Sequence, residues 1–255
     1  MIKTKEEIEI MREGGKRLAE ILQKVSKEAK AGINIEELDA LAEKLIREGG
    51  DEPSFLGYTP EGASRPYPAT LCVSINDEIV HGIPNEGGRV LKDGDIVGLD
   101  LGLKHKGLFL DTAVTVGIGA ISKEDQKLIN ITKEALDIGI KAAKAGNTVG
   151  DIGYAIEEFN KQYGYGLPIE LGGHGVGYKV AEEPYIANYG DKGTGPKLKA
   201  GQVLALEPML NIGDARIRLA EDGYTYKTAD GKNSAHFEHT ILVTNDKAEI
   251  LTKVQ

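Results

Sequence analysis

This chain has little cysteine, few aromatic residues and no long apolar run, and these absences exclude several classes of protein. It has no tryptophan, a single cysteine (Cys72) and only 5% aromatic residues. One cysteine cannot form an intrachain disulfide, which excludes a disulfide-stabilised secreted scaffold and fits the reducing cytoplasm. No apolar run approaches the roughly 20 residues that span a bilayer, and four of residues 3–7 are charged where a signal peptide would be apolar. We therefore expect a cytoplasmic protein that does not enter a membrane.

Basic residues are also in short supply. The chain has 31 Lys and Arg against 40 Asp and Glu, so its formal net charge is -9 at pH 7. A surface of this sign repels nucleic-acid backbones and anionic lipids, and neither is expected as a partner. Hydrophobic residues make up 40% and charged residues 28% of the 255 residues, which supports a sizeable core and excludes a disordered chain.

Apolar residues at helical spacing predict four helices arranged as two pairs. Their predicted bounds are a first helix that stops at Gly32, a second from its N-cap Asn34 to Gly49-Gly50, a third from Ser122 to about Lys144, and a fourth from Thr148 through Phe159. Strands are predicted over residues 70–75, 78–81, 203–210, 216–220 and 235–243, with a hairpin over residues 96–116.

The two helix pairs share a sequence at their junction. Ala-Lys-Ala-Gly at residues 29–32 recurs at residues 143–146, each time followed by a capping residue and an apolar position. The repeat predicts an internal duplication of a helix–helix–strand unit. Chance is the alternative, because Ala-Lys-Ala-Gly is a common helix ending. We expect a single domain over residues 1–255 with two similar halves, about 1–120 and 121–255, and a site between them.

Two aspartates interrupt the otherwise apolar strands of the predicted hairpin. Asp100 lies in Ile-Val-Gly-Leu-Asp-Leu-Gly and Asp111 in Leu-Phe-Leu-Asp-Thr-Ala-Val, with a turn at residues 104–107 midway between them. A hairpin folded there places the two carboxylates about opposite each other, where like charges destabilise a sheet. Burial of one unpaired carboxylate is already unfavourable by several kcal/mol. A cation is therefore expected between Asp100 and Asp111.

Three more residues extend this pattern. Glu207 and Glu238 lie in apolar strands without a nearby Lys or Arg, and His174 lies in the glycine-rich segment at residues 172–177. Two Asp, two Glu and one His balance two divalent cations, and oxygen ligands with one imidazole suit Mn, Fe, Co or Zn. A solvent-facing position is the alternative, and it is the commoner one for a strand acid such as Asp111 or Glu238 taken alone.

Other features have simpler interpretations. The glycines around His174 resemble a phosphate-binding loop, but the segment leads into Tyr-Lys-Val rather than a helix. His105, between lysines in a turn, is expected to be exposed. His236 and His239 flank Glu238, where a place behind the ligands and a place at the surface are both open, and neither is given a role. Cys72 is expected to be a small apolar wall residue rather than a nucleophile, since no activating base lies near it in the sequence.

The candidate residues belong to an ordered set of motifs that resembles the type I methionine aminopeptidases, metallopeptidases of the pita-bread fold. The motifs are Asn-Asp-Glu-Ile-Val-His-Gly-Ile-Pro at residues 76–84, Asp100 and Asp111, Gly-His-Gly-Val-Gly at 173–177, Glu-Pro-Met at 207–209 and Glu-His-Thr at 238–240. They span nearly the whole chain. The resemblance implies an α/β (α+β) fold in which two pseudo-symmetric halves share a central curved antiparallel sheet covered by helices.

The resemblance also implies a role for each candidate residue. Two divalent metal ions (Mn, Co, Fe or Zn) would activate the water that attacks the first peptide bond. Their ligands would be Asp100, Asp111, His174, Glu207 and Glu238. Glu207 would also act as general base, and His81 would hydrogen-bond the scissile amide. The methionine side chain would occupy a pocket lined by Tyr67, Cys72, Val180 and Tyr224.

One position departs from the family pattern. Family members have a second active-site histidine seven residues after the metal-binding one, and this chain has Ala181 there. That histidine donates to the substrate carbonyl oxygen, and loss of one such donor lowers turnover by about 10²–10³. We therefore expect metal binding with reduced activity. Beside it, Val180 stands where family members often have an aromatic residue, which predicts a wider or less selective pocket.

The sequence thus predicts a monomeric metalloaminopeptidase that removes initiator methionine from nascent proteins with a small second residue. N-terminal peptides are its expected substrates, and the ribosome is an expected contact. The alternative is a non-catalytic pita-bread protein that binds peptides or ribosomal partners. Ala181 favours this alternative, whereas the five retained metal ligands oppose it.

Overall fold

The computed structural model describes residues 1–254, which form four helices and fourteen strands. The helices are α1 (Lys5–Glu28), α2 (Ile35–Glu48), α3 (Lys123–Ala142) and α4 (Val149–Lys161). The strands that precede α3 are β1 (Glu52–Pro53), β2 (Leu71–Ile75), β3 (Glu78–Val80), β4 (Ile96–His105) and β5 (Leu108–Gly117). Those that follow α4 are β6 (Gly172–Gly175), β7 (Glu182–Ala187), β8 (Val203–Leu206), β9 (Met209–Asn211), β10 (Ile217–Leu219), β11 (Tyr226–Thr228), β12 (Ser234–His236), β13 (Glu238–Leu242) and β14 (Glu249–Ile250).

One antiparallel sheet organises the chain. Its strands follow the order β1-β4-β5-β13-β8-β6-β7, and β2 and β14 pair with β4 and β13. Smaller sheets have the orders β10-β11-β3 and β12-β9. At the centre β5 pairs with β13, so strands that are distant in the sequence meet there. The predicted α/β fold with a central antiparallel sheet is confirmed.

The helices begin at the predicted caps and cover the sheet. The side chains of Asn34, Ser122 and Thr148 accept hydrogen bonds from backbone N–H groups of the first helical turn. α1 and α2 pack with β2, β4 and β5 around one apolar core, and α3 and α4 pack with β8 and β13 around a second. α1 ends at Glu28, before the predicted stop at Gly32, because the backbone is already extended at Ala29.

Two predicted strands are each divided in the structure. Residues 203–210 form β8 and β9, separated by Glu207 and Pro208, and residues 235–243 lie in β12 and β13, separated by Phe237. Pro208 has no N–H to donate to a strand ladder. β8 pairs with β13, whereas β9 pairs with β12, so both chain segments change sheets at the same place.

His105 is buried, so the prediction of an exposed turn residue is wrong. Its Nδ1 atom lies 2.6 Å from Oδ1 of Asp51, and its side chain is only 3% exposed. The hairpin turn consists of Lys106 and Gly107, both with positive φ, and His105 is the last paired residue of β4. Within residues 1–254, none of the helices has the length and apolar character needed to cross a membrane.

Candidate active site

Five neighbouring strands of the central sheet each bring one candidate residue to the same cavity. In sheet order, they carry Asp100 on β4, Asp111 on β5, Glu238 on β13, Glu207 directly after β8, and His174 on β6. The cavity has a volume of about 270 Å³, and all five side chains line it. The strand order therefore brings together residues that are up to 138 positions apart (238 − 100).

Strand register places the three central acids on one face of the sheet. Ala113 of β5 pairs with Asp100 on one side and with Glu238 on the other, and residues paired across strands share a face. Asp111 is two residues from Ala113 and lies on that face too. Asp100 and Asp111 are diagonal neighbours rather than directly opposite, because the hairpin pairs Asp111 with Gly102.

The ligand atoms lie close enough together to share cations. One carboxylate oxygen each of Asp111 and Glu238 and one ring nitrogen of His174 lie within 4.8 Å of one another. His174 Nε2 is 3.6 Å from Oε1 of Glu207. His174 Nδ1 lies 2.9 Å from the Gly175 carbonyl oxygen, which can only accept, so Nδ1 carries the proton. The lone pair of Nε2 is therefore free for a metal ion.

The four acids are enclosed without a compensating charge. Asp100, Asp111 and Glu238 are buried, and one oxygen of each lacks a hydrogen-bond partner. No Lys or Arg of the described chain lines the cavity. Burial raises the pKa of Asp100 to about 7. Burial and the neighbouring acids raise the pKa of Asp111, Glu207 and Glu238 well above the usual range.

This arrangement fits bound divalent cations. An enclosed carboxylate is stable in its ionised form only beside a positive charge, and the orphaned oxygens of Asp100, Asp111 and Glu238 are free to coordinate one. Carboxylates with one imidazole form a donor set for Mn, Fe, Co or Zn. The solvent-facing alternative for the strand acids Asp111 and Glu238 is wrong, since both are buried.

Part of the cavity is apolar. Tyr67, Cys72 and Tyr224 are buried in one cluster against which Val180 packs, and all four side chains line the cavity. The rings of Tyr67 and Tyr224 meet edge to face with their centroids 5.2 Å apart. Burial, and then the charge of Asp100, raise the pKa of the Cys72 thiol well above its usual value. A thiol in this state is typical of an inert wall residue.

His81 enters the cavity from the end of β3. Its backbone has a φ of 61°, a left-handed conformation that is uncommon for residues with a side chain. The next residue is Gly82, where an added Cβ would lie 2.2 Å from the Val73 carbonyl oxygen. The ring packs edge to face on Tyr226 and is accessible from the cavity. Desolvation by the surrounding walls, and then His174, lower the pKa of His81 to about 4, so its imidazole is neutral at pH 7.

Ala181 lies at the same cavity and is exposed there. Its methyl group offers no hydrogen-bond donor. The segment that carries it is anchored at the next residue, where Glu182 accepts a hydrogen bond from Lys3 Nζ at 2.6 Å. The same ammonium group lies 3.8 Å from the centroid of the Tyr178 ring.

Sequence reasoning gave no role to His236, which the structure places beside Glu207. Its Nε2 lies 3.7 Å from Oε2 of Glu207, and its side chain is 3% exposed. Burial, and then His81, lower the pKa of His236 to about 3. The division of the strand at Phe237 hid this position from the sequence pattern. Further cavity residues that the sequence analysis did not identify are Phe55, Tyr58, Glu170 and Tyr185.

Known proteins share this architecture. The sequence profile described as "Metallopeptidase family M24" matches residues 9–245. The chain belongs to metallopeptidase family M24. Among M24 members it is 43% identical over 252 residues to methionine aminopeptidase 1 of Bacillus subtilis, a match that covers 99% of this chain and 98% of that protein.

Solved M24 structures extend the similarity to three dimensions. Methionine aminopeptidase from Thermotoga maritima superposes with a TM-score of 0.94 at 41% identity, and the match covers 99% of each chain. The enzyme from Rickettsia prowazekii gives a TM-score of 0.94 at 36% identity, again with 99% of each chain covered. The predicted pita-bread fold and the predicted resemblance to methionine aminopeptidases are confirmed.

Proposed function

We propose that this M24 chain is an aminopeptidase that removes the N-terminal methionine from proteins and uses two divalent cations. One observation carries the proposal: a single cavity combines metal-ligand side chains on five adjacent strands with an apolar pocket. An exopeptidase specific for methionine needs both parts. The similarity to the methionine aminopeptidases of Bacillus subtilis and Thermotoga maritima supports the same reaction.

The donor set supports an assignment of the ligands. In this proposal Asp111, His174 and Glu207 would hold one cation and Asp100 the other, and Asp111 and Glu238 would contribute to both. When bound, the cations supply Lewis acidity to the scissile carbonyl and lower the pKa of the attacking water. We infer Mn, Co, Fe or Zn, because one imidazole among carboxylates suits these ions.

The remaining polar groups orient the substrate and move protons. A carboxylate oxygen of Glu207 accepts a proton from the attacking water and passes it to the departing amine. The neutral imidazole of His81 hydrogen-bonds the scissile amide. The side chain of the first residue lies among Tyr67, Cys72, Val180 and Tyr224. The free amino group of the substrate lies on the Asp100 side of the site, which restricts cleavage to the first peptide bond.

Ala181 attenuates this activity in our proposal. A donor at this position would stabilise the negative charge that develops on the carbonyl oxygen during attack, and removal of one such donor lowers turnover by about 10²–10³. The exposure of Ala181 at the cavity supports the assignment. No atom of the alanine side chain can donate a hydrogen bond.

The proposed substrates are N-terminal peptides of nascent proteins with a small second residue. In this proposal the protein acts as a monomer in the cytoplasm, and the ribosome is an expected contact. A buried, unpaired thiol at Cys72 is compatible with that reducing compartment.

The experiment is a peptide assay on metal-loaded protein. The protein is stripped with EDTA, loaded with Mn²⁺ or Co²⁺, analysed for bound metal and incubated with Met-Ala-Ser and with acetyl-Met-Ala-Ser. We expect bound metal and slow release of methionine from the free peptide alone. Asp111→Asn should abolish release, whereas the exposed Asp246→Asn should not change it.

The alternative, a non-catalytic peptide-binding protein, makes the opposite prediction. It would bind Met-Ala-Ser without cleaving it, with or without added Mn²⁺ or Co²⁺. The absence of both bound metal and cleavage would refute the proposed aminopeptidase.

A further inference from the structure

The two oxygens of the Glu207 carboxylate face two different histidines. Oε1 lies 3.6 Å from Nε2 of His174, and Oε2 lies 3.7 Å from Nε2 of His236. His174 belongs to the proposed ligand set, whereas His236 is absent from the cavity lining. His236 therefore approaches Glu207 from outside the substrate space.

The ring of His236 has an unused nitrogen. Its Nε2 is buried and has no hydrogen-bond partner. Buried polar nitrogens are nearly always hydrogen-bonded in folded proteins, so an orphaned one needs an explanation. The neighbouring acceptor is Oε2 of Glu207, which stands just beyond hydrogen-bonding distance.

The backbone holds His236 rigidly in this place. Its N–H donates to Thr115 Oγ1 at 2.9 Å, and its carbonyl oxygen accepts from the same hydroxyl at 2.8 Å. His236 pairs with Met209, two residues beyond Glu207. The change of sheet brings the two side chains together, since Glu207 lies in the break between β8 and β9 and His236 directly precedes the break between β12 and β13.

We propose that His236 is a positioning residue that donates a hydrogen bond from Nε2 to Oε2 of Glu207 and so directs Oε1 towards the cation shared with His174. This inference depends on one part of the proposed function, namely that Glu207 is a metal ligand. Partners of this kind fix the orientation of a ligand and raise metal affinity, and their removal typically lowers affinity or activity by about 10–100-fold.

Cobalt binding to four proteins tests this role. The apoproteins of the unchanged chain, His236→Gln, His236→Asn and His236→Leu are titrated with Co²⁺, with the binding enthalpy and the visible absorption of bound cobalt as readouts. Glutamine carries an N–H at about the reach of Nε2, whereas asparagine is too short and leucine has no donor. We expect His236→Gln to bind Co²⁺ nearly as tightly as the unchanged chain, with the same spectrum.

His236→Asn and His236→Leu should bind Co²⁺ about 10–100-fold more weakly, with an altered spectrum. The matched control is His239→Leu, since His239 lies three residues further on and contacts Thr252 instead. Its cobalt affinity should equal that of the unchanged chain.

The outcomes separate the two proposals. Equal affinity and spectrum for His236→Asn and His236→Gln would overturn the positioning role, and this comparison holds even where His236→Leu fails to fold. Failure of the unchanged chain to bind Co²⁺ would overturn both the proposed function and this inference. If the unchanged chain and every His236 variant bind Co²⁺ equally tightly, this inference is overturned and the proposed function is not.

Discussion

The Nζ atom of Lys3 lies 2.6 Å from Oε1 of Glu182, although 179 positions separate the two residues. Their side chains are 0% and 6% exposed, so the ion pair is enclosed. Gly177 permits this approach, since a Cβ there would lie 2.3 Å from Lys3 Cε. The pair fixes the segment next to Ala181 against the N-terminal part of the chain.

Lys3→Ala should therefore destabilise the fold substantially. Removal of Lys3 leaves the enclosed Glu182 carboxylate with only the more distant N-terminal ammonium group, 3.5 Å away, as a counter-charge. Loss of one partner of a buried ion pair lowers the free energy of unfolding by at most about 3–5 kcal/mol. Urea denaturation measures the change. Lys104→Ala breaks the exposed pair of Lys104 with Glu52 and should change the free energy by less than about 1 kcal/mol. Equal effects of the two substitutions would contradict this prediction.

Ala181→His should raise kcat for Met-Ala-Ser by about 10²–10³, because a donor is restored beside the reacting carbonyl. The stoichiometry of bound Mn²⁺ should stay the same, since position 181 is not among the proposed ligands. Lys179→His places the same side chain at an exposed position that does not line the cavity, and should leave kcat unchanged. An unchanged kcat for Ala181→His would show that position 181 does not contact the substrate.

In the metal-free protein, ionisation of the Asp100 carboxyl should lower stability as the pH rises. An aspartate ordinarily has a pKa of 3.8, whereas burial raises the pKa of Asp100 to about 7, so the folded chain keeps this proton longer than the unfolded chain. The contribution of Asp100 to the free energy of unfolding then falls between those two pH values, by up to about 1.4 kcal/mol per pH unit. The lowered pKa values of His81 and His236 act in the opposite direction below about pH 6.5, so the prediction concerns the difference between the unchanged chain and Asp100→Asn. Urea denaturation in EDTA between pH 4.5 and 7.5 measures the slope.

Three comparisons interpret that slope. Mn²⁺ should remove the contribution of Asp100 to the slope, because the cation stabilises the ionised carboxylates in the folded chain. Asp100→Asn should remove the same falling contribution, and the exposed Asp246→Asn should leave the slope unchanged. The same slope for Asp100→Asn and the unchanged chain in EDTA would contradict the raised pKa of Asp100.

Cys72 should react slowly with iodoacetamide in the native protein. Burial raises the pKa of its thiol, so little thiolate is present at pH 8, and the side chain is only 4% exposed. We expect alkylation at least about tenfold slower in buffer than in urea, measured by mass spectrometry. Rapid alkylation of the folded chain would mean that the apolar part of the cavity is accessible to solvent and to iodoacetamide.

Local patterns in the sequence were sufficient for most of the fold. The caps Asn34 and Ser122 marked helix starts because each accepts hydrogen bonds from the turn that follows it. Asp100 stood out because its strand is apolar on both sides of it. Glu207, Glu238 and His174 were identified from the sequence pattern as well, and the family resemblance then gave roles to these candidate ligands, which the sheet order brings to one cavity.

The errors arose where distant residues decide the outcome. His105 is buried because it contacts Asp51, which lies 54 positions earlier in the chain, and no local sequence pattern predicts this contact. The approach of His236 to Glu207 depends on the register of β12 with β9. The sequence shows Pro208, which interrupts the strand. It does not show that the pairing partner changes there, because that depends on how β8, β9, β12 and β13 are arranged.

The pairing of β5 with β13 has a consequence for the synthesis of the chain. Asp100 and Asp111 emerge early, whereas Glu238 emerges only after 126 further residues beyond Thr112, whose hydroxyl donates to its carbonyl oxygen. Until β13 pairs with β5, the five candidate ligands are not together, so the candidate site forms only after Glu238 has been synthesised.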